Sequence, residues 1–124
     1  MSALEIGRRL VALVNEGKSI EAMETLYDEK IVSIEAMASP TLPARIEGIE
    51  GVRQKAHGWF EAHEVHAEVA TGPFCGNRPD QFAVHYDVDI TNRATNERMQ
   101  MREVGLYTVA GGKVVEESFM YLMA

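Results

Sequence analysis

The sequence contains little of what covalent cross-linking, membrane insertion or polyanion binding requires. It has a single cysteine, Cys75, so no intrachain disulfide can staple the fold, which suits a reducing compartment. The longest apolar run, Leu10 to Val14, is far short of the roughly 20 residues of a membrane helix, and Glu5 stands where a secretory leader needs positive charge. There is no Asn-x-Ser/Thr acceptor. Basic residues are scarce, 12 against 19 acidic ones, and the net charge of −7 repels phosphate backbones and anionic lipid. A cytoplasmic protein with no nucleic-acid and no membrane partner is expected. What is present is ordinary globular material, 46% hydrophobic and 25% charged, enough over 124 residues for one core. A single domain spanning 1–124 follows.

Ala3, Ile6, Leu10, Leu13 and Val14 recur at helical steps, and Gly17 offers a stop. Ser19 is suited to cap a second, short helix carrying Ile20, Met23, Leu26 and Tyr27. The β-branched residues of 31–37 predict a strand, and Pro40 and Pro43 predict an irregular loop after it. A third helix follows Gly48, with Ile49, Val52, Ala56, Trp59, Phe60 and His63 along one side. The period then changes to two. Phe82, Val84, Tyr86, Val88 and Ile90 alternate with polar residues, and Met99, Met101, Glu103, Gly105, Tyr107 and Val109 share one face of the next strand. Gly111-Gly112 marks a hairpin returning through 113–122, and a weaker strand signal covers 66–69. The order is helix, helix, strand, helix, then three or four antiparallel strands. This is an α+β pattern with helices gathered on one face of a curved sheet.

The segment Glu47-Gly48-Ile49-Glu50-Gly51-Val52-Arg53, opening a helix that ends in Trp59-Phe60, resembles the glycine-led helix of SnoaL-like domains, members of the nuclear transport factor 2-like superfamily. Leu106 to Val114, with its Gly111-Gly112-Lys113 turn, resembles that family's closing hairpin, and Phe119 and Tyr121 match its terminal aromatic pair. The resemblance spans nearly the whole chain. It implies a cystatin-like α+β barrel: a cone of curved antiparallel sheet wrapped by three helices, open at one end to a mostly apolar pocket, often dimeric through the sheet. It also implies relatives among ketosteroid isomerases, polyketide cyclases, epoxide hydrolases, dehydratases and non-catalytic binding proteins, many of which use neither metal nor organic cofactor. Fold alone does not select among these activities.

On strand parity, Glu103 points into the cone, where desolvation either raises its pKa or demands a partner. A three-residue hairpin loop, 110–112, would pair Val109 with Lys113, Gly105 with Glu117 and Glu103 with Phe119, so that Glu117, Phe119 and Tyr121 also look inward. Glu35 shares a side with Ile31, Ser33 and Met37. Carboxylates whose environments separate their pKa values divide into acid and base, so Glu103, Glu35 and Glu117, with His63 at the end of the third helix, form the candidate catalytic set. An inward Glu that ties strands together is the competing structural role. Trp59, Phe60, Met37, Met99, Met101, Tyr86, Tyr107, Phe119 and Tyr121 are the candidate ligand-lining residues, with Met120 and Met123 as further soft surface.

Counting back from the hairpin puts Gly105 where ketosteroid isomerases carry an oxyanion-stabilising aspartic acid, and the first helix has no tyrosine, so that constellation is not expected here. His63-Glu64-Val65-His66 misses the zinc-protease spacing, Gly17-Lys18-Ser19 lacks the first glycine of a phosphate loop, and no Gly-x-Ser-x-Gly elbow occurs. The sequence therefore predicts a cofactor-free acid/base site of isomerase, cyclase or dehydratase type for a small apolar or polycyclic, carbonyl-bearing compound. Two alternatives stand beside it: a ligand-binding protein without turnover, and a homodimeric interaction module using the sheet face around His85, Asp87 and Asp89.

Overall fold

The computed structural model describes residues 1–121; Leu122, at the expected end of the last strand, and Met123 lie outside the described residues. Helix α1 (Ala3–Asn15) starts at Ser2, whose Oγ accepts the Glu5 N–H at 3.2 Å, and buries the Ala3, Ile6, Leu10 and Val14 stripe. The Asn15 side chain then pairs with both backbone groups of Ala70, accepting its N–H at 2.8 Å and donating to its carbonyl at 3.0 Å, and so ties the end of α1 to the sheet.

Helix α2 (Ser19–Leu26) contains Ser19 in its first turn instead of being capped by it, because the hydroxyl donates to Glu68 Oε1 at 2.8 Å. Tyr27 is not helical: it opens β1 (Tyr27–Ile34), which begins and ends earlier than the expected strand over 31–37. Edge strand β2 (Arg45–Glu47) lies in the segment expected to be irregular, pairing Val32 with Glu47 and Ile34 with Arg45. Helix α3 (Ile49–Ala62) stops one residue before His63, which starts β3 (His63–Phe74). That strand is three times the length its sequence signal suggested. It lies at the sheet edge, where many of its residues meet solvent and the apolar alternation is lost.

Strands β4 (Gln81–Asn92), β5 (Glu97–Ala110) and β6 (Lys113–Tyr121) complete a six-stranded open sheet in the order β2-β1-β6-β5-β4-β3. The sheet is mixed: β6 runs antiparallel to β5 but parallel to β1, pairing Ser33 with Glu117. The alternation of β4 is realised, with Phe82, Val84, Tyr86, Val88 and Ile90 buried against the helices.

The β5–β6 hairpin differs from the expected register. Gly111 (φ +59°) and Gly112 (φ +76°) form a two-residue turn that pairs Ala110 with Lys113. Continued unbroken, that register would place Glu117 opposite Leu106, on the outer face. A bulge intervenes: Val109 pairs with Val114 but Thr108 with Glu116, leaving Val115 as the extra residue. Glu117 consequently sits opposite Tyr107, Phe119 opposite Gly105 and Tyr121 opposite Glu103, all on the inner face. Each partner is two residues from the expected one, and the inward parity is kept.

Candidate functional site

Between the helices and the inner face of the sheet lies a cavity of about 720 Å³. Helix α3 supplies Val52, Lys55, Ala56, Trp59 and Phe60 to one wall; β4, β5 and β6 supply Tyr86, Met101, Glu103, Tyr107, Glu117, Phe119 and Tyr121 to the other. Only Val52 of α3 is fully buried, so the apolar stripe of that helix covers a hollow instead of filling a core. Glu35 and the segment Met37–Pro43 complete the rim, where Met37 is 62% exposed. Of the residues nominated from sequence, Met99 and Met120 are off the lining: Met99 pairs with Ile90 toward the β4–β5 turn and packs on the core, and Met120 is half exposed opposite Val104.

A polar network occupies one side of the cavity. Glu117, 4% exposed, accepts the Tyr27 hydroxyl on Oε1 and the fully buried Ser33 hydroxyl on Oε2 at 2.7 Å. Lys55 Nζ donates to Ser33 Oγ and, at 2.8 Å, to Glu35 Oε1, while Tyr121 donates to Glu35 Oε2 at 2.7 Å. Burial pushes the Glu117 carboxyl above its ordinary pKa, opposed by Lys55 and the two hydroxyls. Both Glu35 and Glu117 are thus fully engaged by the protein. A second pair, the Tyr86 and Tyr107 hydroxyls, is hydrogen-bonded in the interior, and burial raises both phenols.

Glu103 differs from the other two carboxyls. It stands beside Tyr86 and Tyr121 on the adjoining strands, and no described residue makes a hydrogen bond or ion pair with it. Burial first, then repulsion from Glu35, Glu117 and Glu68, pushes its pKa up to about 7, with Lys55 pulling the other way. Such a carboxyl exchanges a proton near neutrality. Glu68, also on the lining, is raised by burial and holds only the Ser19 hydroxyl.

The inner face at Gly105 has no room for a side chain. A Cβ there would lie 2.8 Å from Tyr107 Cε2, and that ring is fixed by stacking on Phe82 at 4.9 Å. Tyr107 therefore fills the space where a carboxyl on residue 105 would project. His63 lines the cavity, stacked on Trp59 at 4.7 Å; its Nδ1–H donates to the Trp59 carbonyl at 2.8 Å, since a carbonyl can only accept. His66 is exposed and bonds Thr91 across the strand pair at 2.7 Å. Among the described residues no group of three or more His, Cys, Asp or Glu converges as a metal site, and Cys75 is exposed. No described helix is long and apolar enough to cross a membrane.

The sequence reading missed Lys55, Tyr27, Ser19 and Glu68. Lys55 was accessible, because it stands three residues after Val52 and four before Trp59 and so shares their helix face. A cation in an apolar stripe is the signal that was passed over. Glu68 was hidden by the weak pattern of β3, and Tyr27 by its helical spacing from Met23.

These acids, Glu117 buried and Glu103 and Glu68 partly so, have a consequence for stability. A carboxyl whose folded pKa is raised binds its proton more tightly folded than unfolded, so its contribution is complete below about pH 4.5 and is lost as pH rises through the folded value. For Glu103 that window closes near pH 7, a loss on the order of 3 kcal/mol. Glu68 and Glu117 act in the same direction. The melting temperature is expected to fall between pH 5 and pH 8, and to fall less in Glu103→Gln; a temperature constant or rising over that range in both proteins would contradict the placement of these groups.

The SnoaL-like domain family matches residues 1–121. No curated protein matches the chain. Among solved structures, a protein from Mesorhizobium loti with the provisional name SnoaL-like polyketide cyclase [carbohydrate phosphatase] is 42% identical, the match covering 98% of this chain and all of that one, with a TM-score of 0.89. A provisionally named isomerase from Bacillus subtilis shares the fold at 19% identity, covering 97% of this chain and 86% of that one with a TM-score of 0.73. So does a protein with a ketosteroid isomerase-like fold from Catenulispora acidiphila in complex with trimethylamine, at 13% identity, 96% and 86% coverage and a TM-score of 0.69. With the family matched almost end to end and a relative of such identity aligned over its full length, the chain belongs to the SnoaL-like domain family.

Proposed function

We propose that this protein is a cofactor-independent acid/base enzyme of isomerase, cyclase or dehydratase type, acting on a small, largely apolar, carbonyl-bearing compound held in the cavity. The observation that carries the proposal is Glu103: a carboxyl on the wall of an apolar cavity of about 720 Å³, without a partner among the described residues and with a pKa of about 7. The volume is within the usual range for small-molecule sites. Trp59, Phe60, Met101, Phe119 and Tyr121 supply the apolar and aromatic contacts, and Met37 lies at the rim. Glu35 and Glu117 serve the network that orients Lys55, not proton exchange. The provisional names cyclase and isomerase carried by the relatives accord with proton transfer beside a carbonyl.

Proton exchange can be followed without knowing the natural substrate. The bicyclic ketone 2-tetralone, incubated with the protein in D₂O, is expected to exchange its acidic CH₂ protons faster than in buffer, with a rate that rises through a midpoint near pH 7 as Glu103 ionises. Ketone that binds but exchanges at the buffer rate would identify a ligand-binding protein. Ketone that does not bind at all would remove the small-molecule reading for this class of compound.

A further inference from the structure

Resting on the proposed acid/base reading, we propose that Lys55 is the electrophilic residue of the site, holding the ligand's carbonyl oxygen and the negative charge that gathers there when Glu103 takes the adjacent proton. A proton-abstracting carboxylate acts only if the oxygen of the resulting enolate is met by a donor aimed at it beforehand. Residue 105 cannot supply one, because it is glycine and its side-chain space is filled by Tyr107. The hydroxyl protons of Tyr27 and Tyr121 are spent on Glu117 and Glu35, that of Ser19 on Glu68, and the Tyr86 and Tyr107 hydroxyls bond each other, which leaves that pair a single neutral O–H. Lys55 is the only lysine or arginine among the described residues that line the cavity. It has three N–H groups. Two go to Ser33 and Glu35, which fix the ammonium head, and no described residue accepts the third.

Although Lys55 belongs to the α3 wall, its side chain carries the ammonium head across to the sheet. Nζ lies 5.6 Å from the centroid of Phe119, which pairs with Gly105, two residues along the same face from Glu103. Glu103 pairs with Tyr121, and Tyr121 donates to the same Glu35 that holds Lys55. The two groups thus share one part of the cavity, close enough for the Lys55 charge to act on the Glu103 carboxyl, so a ligand oxygen on Lys55 is proposed to present its adjacent carbon to Glu103. In the step, a Glu103 oxygen forms a bond to the α-hydrogen and the C–H electron pair becomes the C=C bond. The carbonyl π pair moves onto oxygen as an enolate, which accepts from Lys55. Return of the proton from Glu103 to a carbon of the enolate restores the carboxylate.

At pH 6, with Glu103 protonated, a bound phenolate reproduces the charges of that intermediate; the titratable groups on the cavity lining are Lys55, His63, Glu35, Glu117, Glu68, Glu103 itself and the tyrosines Tyr27, Tyr86, Tyr107 and Tyr121. The probes are 2,4-dinitrophenol, which is ionised at this pH, and its neutral methyl ether 2,4-dinitroanisole, each titrated by calorimetry. Lys55→Met is expected to weaken phenolate binding at least about tenfold while the ether changes less than about twofold, and Lys55→Arg is expected to recover most of the phenolate affinity. Equal losses for both probes, or none, would overturn the assignment. A wild-type protein that binds the ether but not the phenolate would overturn Lys55 alone, whereas one that binds neither would overturn the ligand-site reading with it. Should Lys55→Met fail to fold, ¹⁵N-lysine spectra of the wild-type protein decide: the Lys55 ammonium signal is expected to move on adding phenolate and not on adding ether, and an unmoved signal would count against the proposal.

Discussion

Glu103→Gln is expected to slow protein-catalysed exchange of 2-tetralone by roughly 10²–10⁴-fold while leaving its dissociation constant within about threefold. Glutamine preserves the length and planar head of the side chain, so the wall formed with Met101, Tyr107 and Tyr121 keeps its shape. It cannot take or give a proton at any accessible pH, so the group that titrates near neutrality is removed and little else changes. The two readouts diverge only if the carboxyl acts on the ligand. Exchange that persists in this variant would transfer the role to another group, and Glu68, the remaining raised carboxyl that holds a single hydroxyl, would be the first to replace.

The second large effect concerns folding. Glu117→Ala is expected to cost about 3–5 kcal/mol, because it leaves the Tyr27 and Ser33 hydroxyls without their acceptor and Lys55 with one fewer compensating charge. In a domain of this size that corresponds to a fall in melting temperature of roughly 10–20 °C. Glu117→Gln keeps an acceptor oxygen for one hydroxyl and an amide for the other, and is expected to lose less than half as much. A Glu117→Ala protein that melts within a few degrees of the wild type would mean that the network does not hold β1 to β6, and the separation of structural from chemical glutamates would fail with it.

The parts of this arrangement visible in the sequence are those fixed by short-range periodicity. Strands β4 and β5 alternate over many residues, so the face carrying Tyr86, Glu103 and Tyr107 could be assigned without knowing their partners. The hairpin partners were misplaced by two residues, yet Glu117 still faces inward, because the shorter turn and the bulge at Val115 each shift the pairing by one residue in the same direction. Side chains on facing strands respond to parity, and two offsets of one residue add to a shift of two, which restores it. The network itself is not local: Tyr27 meets Glu117 across 90 residues and Ser33 meets it across 84, through a parallel β1–β6 contact that periodicity does not encode. The edge strands were legible only in part for a different reason: β2, three residues long, was not expected, and β3, which shows solvent along much of its length, was signalled only over 66–69. Lys55 shows the limit of reading helices by their apolar positions alone: a cation on that face forms no part of an apolar stripe, and it is the residue that joins Ser33 to Glu35.

The account depends on Glu103 being a partly buried acid that ionises near neutral pH. With the glutamates labelled by ¹³C at the side-chain carboxyl carbon, and the Glu103 signal assigned by its absence in Glu103→Gln, titration of the ligand-free protein from pH 4 to pH 9 follows this one group. The midpoint is expected near pH 7; a midpoint near the 4.5 of an ordinary solvated glutamate would contradict it.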